Sequence, residues 1–451
     1  MIRPPQFPLL AVLLFAIGSV GVTAELLDRP VGWRTDASGA YLDANPPAKW
    51  SSTENIRWKV AMPGRSYGSP IVIGQRLIVV SDPAELICLD AGSGEQLWRK
   101  TYSAAEAVGA EAAAKLIAES ATLNDRRQKL QREFGDLRKA KPDAKEEHEA
   151  LQAQMKAVEQ QLSDLKLKNP IHSDRGSGNT AATPICDGQL VYAVFGSGIV
   201  AACTLEGETR WVKFIEGSDI GFGHSSSPVL VGGKLIVHFH DLVALDPATG
   251  NVQWRTPLSA SHATPIAVRI GQDPAVATPS GSVVRASDGK VLLTEPALRV
   301  SEGSPVATES VLFAQGDKTS AFKLPTTSVE KLELLWQTTA SRGRRTPSPV
   351  VHEGLIYGVT TEGILDVTDA ETGEIAYRKR LDLEGDLYSS VTAAGDHIYL
   401  SSTRGQTLVL AAGDKYEEIA RNELESWGAC PVFVGDRLYF RGHKNLYCIG
   451  P

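Results

Sequence analysis

The sequence is poor in cysteine, with five in 451 residues, none adjacent and none in a Cys-x-x-Cys pair. That spacing excludes a thioredoxin-like redox pair and a Cys-x-x-Cys-His haem site, and an odd number cannot all be paired within one chain. Cys88, Cys186, Cys203, Cys430 and Cys448 lie in or at the start of strand-like runs, where a small buried hydrophobe is the expected role. Excess positive charge is also missing. A net charge of −7 leaves no basic face for a nucleic-acid partner. There is no Gly-x-Ser-x-Gly elbow, no phosphate loop and no His-Glu-x-x-His run.

Long apolar runs are absent after the first two dozen residues. Arg3 followed by the apolar stretch 7–22 and by Val22-Thr23-Ala24 has the layout of an export leader over 1–24, cut after Ala24. The stretch is short for a spanning helix. No cysteine near it offers a lipid anchor. The expected compartment is therefore periplasmic or extracellular, with membrane contact only through an uncleaved leader.

What is abundant is glycine (41 residues) and a recurring phrase. A small residue and proline precede a short apolar run, a Gly or Asp turn, and a second apolar run. The anchors fall at positions 70, 184, 228, 265, 305, 349, 391 and 431. After the first interval of 114 residues, the spacings are 44, 37, 40, 44, 42 and 40, the length of one four-stranded propeller blade. A second phrase follows each anchor: Leu89-Asp90-Ala91-Gly92-Ser93-Gly94 leads to Trp98, and Leu245-Asp246-Pro247-Ala248-Thr249-Gly250 leads to Trp254. Thr368-Asp369-Ala370-Glu371-Thr372-Gly373 leads to Tyr377. Trp58, Trp98, Trp211, Trp254, Trp336 and Tyr377 are read as structural aromatics on outer strands, each burying its ring against a neighbouring blade.

The expected fold is all-β: an eight-bladed β-propeller of four-stranded blades closed by the N-terminal strand, with an inserted α-helical hairpin. Closure follows from counting. The last unit, 430–449, has three strand-like runs, and Ile56-Arg57-Trp58-Lys59-Val60 supplies the fourth. The division is a leader (1–24), an N-terminal extension (25–54), closing strand and blade one (55–103), the insertion (104–168), and blades two to eight (169–451). The insertion carries 12 basic and 12 acidic residues. Leu151, Met155, Val158, Leu162 and Leu165 run at 4-3-4-3 spacing, and Leu116, Leu123, Leu130, Phe134 and Leu137 follow it less completely. Two antiparallel helices packed as a coiled coil are expected, serving as a self-packed decoration or a docking arm for another protein.

Inner strands of a propeller converge, so the residues before each anchor ring one channel mouth. They are Arg65, Tyr67, Asn179, His224, His262, Glu302, Arg344, Arg345, Tyr388 and Trp427. Polar and aromatic groups converging on a concavity suit a ligand or partner. His238 and His240 alternate along one expected strand and so would share a face, a weak candidate for metal; ordinary strand histidines are the competing reading.

The Asp-x-x-Thr-Gly-x-x-x-Trp phrase resembles the PQQ-type propeller repeat, named for pyrroloquinoline quinone dehydrogenases and similar to the propeller of the bacterial outer-membrane barrel assembly machinery. The resemblance covers nearly everything from Asn55 onward except the insertion. It is well kept in blades one, three and six and worn in blades four, five and seven. Against the barrel-assembly propeller, the chain lacks a lipid-anchor cysteine and adds the hairpin. The dehydrogenases sandwich PQQ between a tryptophan and a disulfide of adjacent cysteines and hold calcium with acidic and amide side chains. The adjacent cysteines are missing, so no catalytic residue carries over and no cofactor is expected. The resemblance therefore implies a non-catalytic binding or assembly scaffold; a divergent PQQ-dependent dehydrogenase and a carbohydrate- or peptide-binding module are the alternatives.

Overall fold

The computed structural model describes residues 30–170, 176–218, 220–426 and 428–451. The leader reading and Trp427 lie outside the described residues.

Eight antiparallel sheets of four strands form the ring, and the seventh carries one additional strand. Blade one shows the plan: Ile71–Ile73, Arg76–Ser81, Glu85–Asp90 and Gln96–Thr101, each pairing with the next. The two middle strands are buried on both faces, as in Ile199–Thr204 of blade two, because a blade lies against each side. They therefore read as unbroken apolar runs, whereas outer strands such as Ile56–Ala61 alternate. That outer strand pairs with Asn445–Ile449, so the eighth blade is shared between the two ends of the chain, as the count of strands requires.

The recurring phrases have geometric causes. Each outer strand meets its neighbour with a register shift beside the aromatic position, for example at Ala244/Leu245. A bulge of this kind turns a side chain out of the sheet. Trp254 then donates its indole N–H to the Ala286 carbonyl of the next blade at 2.9 Å. Trp58, Trp98, Trp211 and Trp336 donate likewise to Ala91, Leu205, Pro247 and Ala370. Each indole covers the turn glycine of that next blade. A Cβ on Gly250 would stand 2.6 Å from the Trp211 ring, and Gly250 has φ +70°. Glycine is required there twice over. Tyr377 has no indole N–H, and its ring meets Tyr416 edge-on instead.

The residue before each anchor position (proline in seven blades, Val391 in the other) joins neighbouring blades. The Ser69 amide donates to Thr183 Oγ1, Thr183 to Ser227, Ser227 to Thr264 and Thr264 to Ser304. Ser304 donates to Ser348, Ser348 to Ser390, Ser390 to Cys430 Sγ, and Cys430 to Ser69 Oγ. Eight bonds close a circle around the channel. All five cysteines are free and buried. Cys430 serves this ring as an acceptor, and burial pushes the Cys88 thiol up to about 12 and the Cys203 thiol up to about 11.

The insertion folds as α1 (Ala104–Val108), α2 (Ala110–Ala140) and α3 (Lys145–Lys168). Gly109, at φ 89°, divides the first expected helix in two. At 1.5 Å per residue α2 is about 46 Å long and α3 about 36 Å. Leu130, Val158 and Leu162 are buried between them, with Leu123, Leu151 and Met155 packed alongside. The arm is firmly rooted. Ser103 and Glu106 form a reciprocal capping box, Ala107 joins the core between blades one and two, and the Gly217 amide donates to the Leu167 carbonyl at 3.0 Å. Among the described residues no helix is long and apolar enough to cross a membrane.

Within the N-terminal extension, residues 31–41 enter the channel. Val31 exchanges both backbone hydrogen bonds with Cys186, the last residue of blade two's inner strand. Ala40–Tyr41 runs parallel to Thr392–Ala394 of blade seven, paired with the last two residues of that inner strand. Residues 32–39 loop up the channel between these contacts. The Arg34 guanidinium is fully buried, and Nη2 donates to the carbonyls of Pro349 (2.8 Å) and Val391 (2.6 Å). Gly39 lies against it, where a Cβ would strike the guanidinium.

Candidate functional site

Inner strands begin at one face, and the loops before them surround a cavity of about 320 Å³. Its floor is Trp33, carried up from the N-terminal segment, with the Arg34 guanidinium 5.2 Å from the indole centroid. Its wall includes six hydroxyl members of the interblade ring, together with Cys430. Its rim carries Tyr67, Phe222, His262, Glu302, Arg344 and Tyr388.

The rim is electrostatically organised. Arg344 Nε lies 3.2 Å from Glu302 Oε2, and the guanidinium packs over Tyr388 at 5.4 Å. Thr346 Oγ1 donates to the same Glu302 oxygen at 2.6 Å. The His262 backbone carbonyl accepts from Ser225 Oγ at 2.9 Å. Burial holds the His262 imidazole below the ordinary histidine range, with Glu302 partly offsetting it, so the ring is neutral at pH 7. Tyr67 meets His443 edge-on at 5.2 Å.

The ten mouth residues named from sequence thus divide. Tyr67, His262, Glu302, Arg344 and Tyr388 line one cavity. Arg65 is exposed outside it, 3.7 Å from Asp82. Asn179 is buried, and its backbone amide donates to Asp82 Oδ1 at 3.0 Å. Arg345 is withdrawn from any ligand: it is buried in an ion pair with Asp366 at 2.5 Å. His224 is also buried, its ring tilted against Phe239 with centroids 4.5 Å apart and Nε2 against the His238 carbonyl. Trp427 lies outside the described residues.

The paired-face reading of His238 and His240 needs correction. The strand ends at His238, so the alternation does not extend to His240. His238 is buried with Nε2 on the Ser259 carbonyl, while His240 is exposed in the following bend. Among the described residues no group of three His, Cys, Asp or Glu side chains could hold a metal ion. Nor does the cavity fit a quinone with calcium. Cys430 is its one lining cysteine among the described residues, and Glu302, the one lining carboxylate, is held by Arg344 and Thr346.

Sequence reasoning missed Trp33, Arg34 and Phe222. Phe222 had a usable signal, an apolar residue between glycines just before an anchor; it is 75% exposed at positive φ.

A closed ring of eight four-stranded blades with an aromatic and polar mouth defines a β-propeller of the PQQ-repeat class. The chain belongs to the family described as outer membrane protein assembly factor BamB, whose model matches residues 48–132, 164–297 and 328–416. No curated protein sequence matches it. Among solved structures, BamB from Moraxella catarrhalis is 14% identical and covers 88% of this chain and 97% of its own, with a TM-score of 0.59. The computationally designed Ika8 protein is 9% identical and covers 87% and 99%, with a TM-score of 0.52. At these identities the likeness is one of fold.

Proposed function

We propose that the protein is a non-catalytic extracytoplasmic scaffold that holds a partner protein between its channel mouth and its helical arm. One observation carries this reading. The outer strand of blade one ends on the face where inner strands begin, so the arm is rooted on the same face as the cavity. Phe222 and Tyr388, two of the exposed large hydrophobic side chains, stand at that cavity's rim. Exposed aromatics beside a firm projection are what a docking surface uses. The family's description as an assembly factor supports a scaffold, and the leader-like residues 1–24 support export.

Photo-crosslinkers placed singly at Phe222 and at Ile117, an exposed position on α2, test the reading. The expected result is one partner of the same mass captured from both positions in the exported fraction. Capture of unrelated partners, or of none at either position, would overturn it. Dye-linked alcohol oxidation after addition of PQQ and calcium would also overturn it, in favour of a dehydrogenase.

A further inference from the structure

The mouth cavity contains more donor chemistry than its place in a docking face requires. In the interblade ring each hydroxyl oxygen accepts an amide from the preceding blade. That use leaves the hydroxyl proton, and among the described residues no protein acceptor takes it from any of the six lining members. Six O–H donors therefore surround one small space.

Directly below lies a cation that, among the described residues, makes no hydrogen bond to a carboxylate. Arg34 Nε and Nη1 are buried without a partner, and Nη2 bonds only carbonyls. Those carbonyls belong to Pro349 and Val391, the residues immediately after the cavity-lining Ser348 and Ser390, which puts the guanidinium just beneath the ring. The charges at the rim, Arg344 and Glu302, cancel each other. The cavity is thus rich in donors with a guanidinium beneath it, whose charge the nearby Asp36 carboxylate partly offsets; such a setting favours an oxyanion. The lining also includes the aromatic rings of Trp33, Tyr67, Phe222 and Tyr388, whose apolar carbon surface suits the C–H face of a ring. Glu302 and the neutral His262 add acceptors for ligand hydroxyls.

We propose that this cavity binds a small hydroxylated carboxylate of the sugar-acid class, its carboxylate toward the hydroxyl ring above Arg34 and its ring against the rim aromatics. A volume of about 320 Å³ is at the low end for a small-molecule site and suits a single sugar ring. The inference does not depend on the scaffold reading, since a ligand of this size could be bound with no partner present.

Calorimetric titration of the full chain with glucuronate, glucose and acetate separates the contributions. Glucuronate is expected to bind at least about tenfold more tightly than glucose, which lacks the charge, and than acetate, which lacks the ring; tenfold is about 1.4 kcal/mol. Tyr388→Ala, a rim change that leaves the ring of blades intact, is expected to weaken glucuronate about tenfold without changing the thermal midpoint. Arg34→Met is expected to abolish the preference over glucose. Equal binding of glucuronate and glucose, equal binding of glucuronate and acetate, or no binding of glucuronate by the folded protein would each overturn the proposal. Wild-type affinity in Tyr388→Ala would overturn the placement of the ring. Crosslinking at Phe222 and Ile117 is read without any sugar acid, so the two proposals fail separately.

Discussion

The amide of Cys430 donates to Ser69 Oγ at 2.9 Å, joining the last blade to the first by the same kind of amide-to-side-chain bond that joins the other seven pairs. The seam is therefore closed twice, at the channel by this hydrogen bond and at the perimeter by Ile56–Ala61 pairing with Asn445–Ile449. The closed seam leaves no three-stranded terminal blade, and the edges that remain are the short outer strands at the perimeter.

Each ring bond satisfies a buried amide, so removing one acceptor leaves a donor unpaired. Thr183→Val keeps the shape but deprives the Ser69 amide. It is expected to cost about 1–3 kcal/mol in urea unfolding. Cys430→Ser restores an oxygen acceptor for Ser390 and is expected to cost less than about 1 kcal/mol. Equal costs would show that the ring bonds contribute nothing specific.

Two glycines isolate the interblade indole contact. Gly233 has φ +71° with nothing near its absent Cβ, whereas Gly250 has φ +70° with the Trp211 ring above it. Gly233→Ala should therefore cost only the left-handed backbone penalty, about 1–2 kcal/mol. Gly250→Ala should cost about 1–3 kcal/mol more from overpacking. Matching thermal midpoints for the two variants would contradict the role assigned to Trp211.

Burial lowers His224 and His238 to about 4, below the ordinary 6.5. Each is neutral when folded and gains a proton on unfolding below pH 6.5. Their stabilisation is complete above pH 6.5, falls as the pH drops toward 4, and then levels. The loss is on the order of 3 kcal/mol for each residue. Urea midpoints measured from pH 7 to pH 4 should fall less steeply in His224→Gln than in the parent. An unchanged slope in both His224→Gln and His238→Gln would refute the assignment.

The Arg34 guanidinium ties the N-terminal segment to blades six and seven, and Gly39→Ala attacks that contact by forcing a Cβ into the guanidinium at φ +76°. The expected result is new protease cleavage within residues 30–50 and a red shift in Trp33 emission. The propeller should keep its cooperative unfolding, because the blades pair without this segment. Protease resistance equal to the parent would show that the segment is held elsewhere.

Much of this architecture is legible because it repeats. Anchor prolines at intervals near 40 and glycine turns before tryptophan are local signals, and the strand deficit of the last unit identifies its partner at 56–61. The site is legible only in part, because adjacent residues meet different neighbours. Arg344 and Arg345 are indistinguishable in sequence, yet one lies on the rim and the other is drawn inward by Asp366, 21 positions away. His238 and His240 read as one strand face until the strand stops between them.

By itself, the sequence determined the number of blades, the way the ring closes and the helical nature of the insertion, since periodicity and turn chemistry are properties of short segments. Only the tertiary structure decided that the residue before each anchor position bonds the next blade, and that Trp33 floors the cavity with Arg34 beneath it. Those partners lie from 37 to more than 350 residues apart. No local pattern encodes such distances; they are set by closure, which brings eight inner strands around one axis and leaves a buried guanidinium to find carbonyls there.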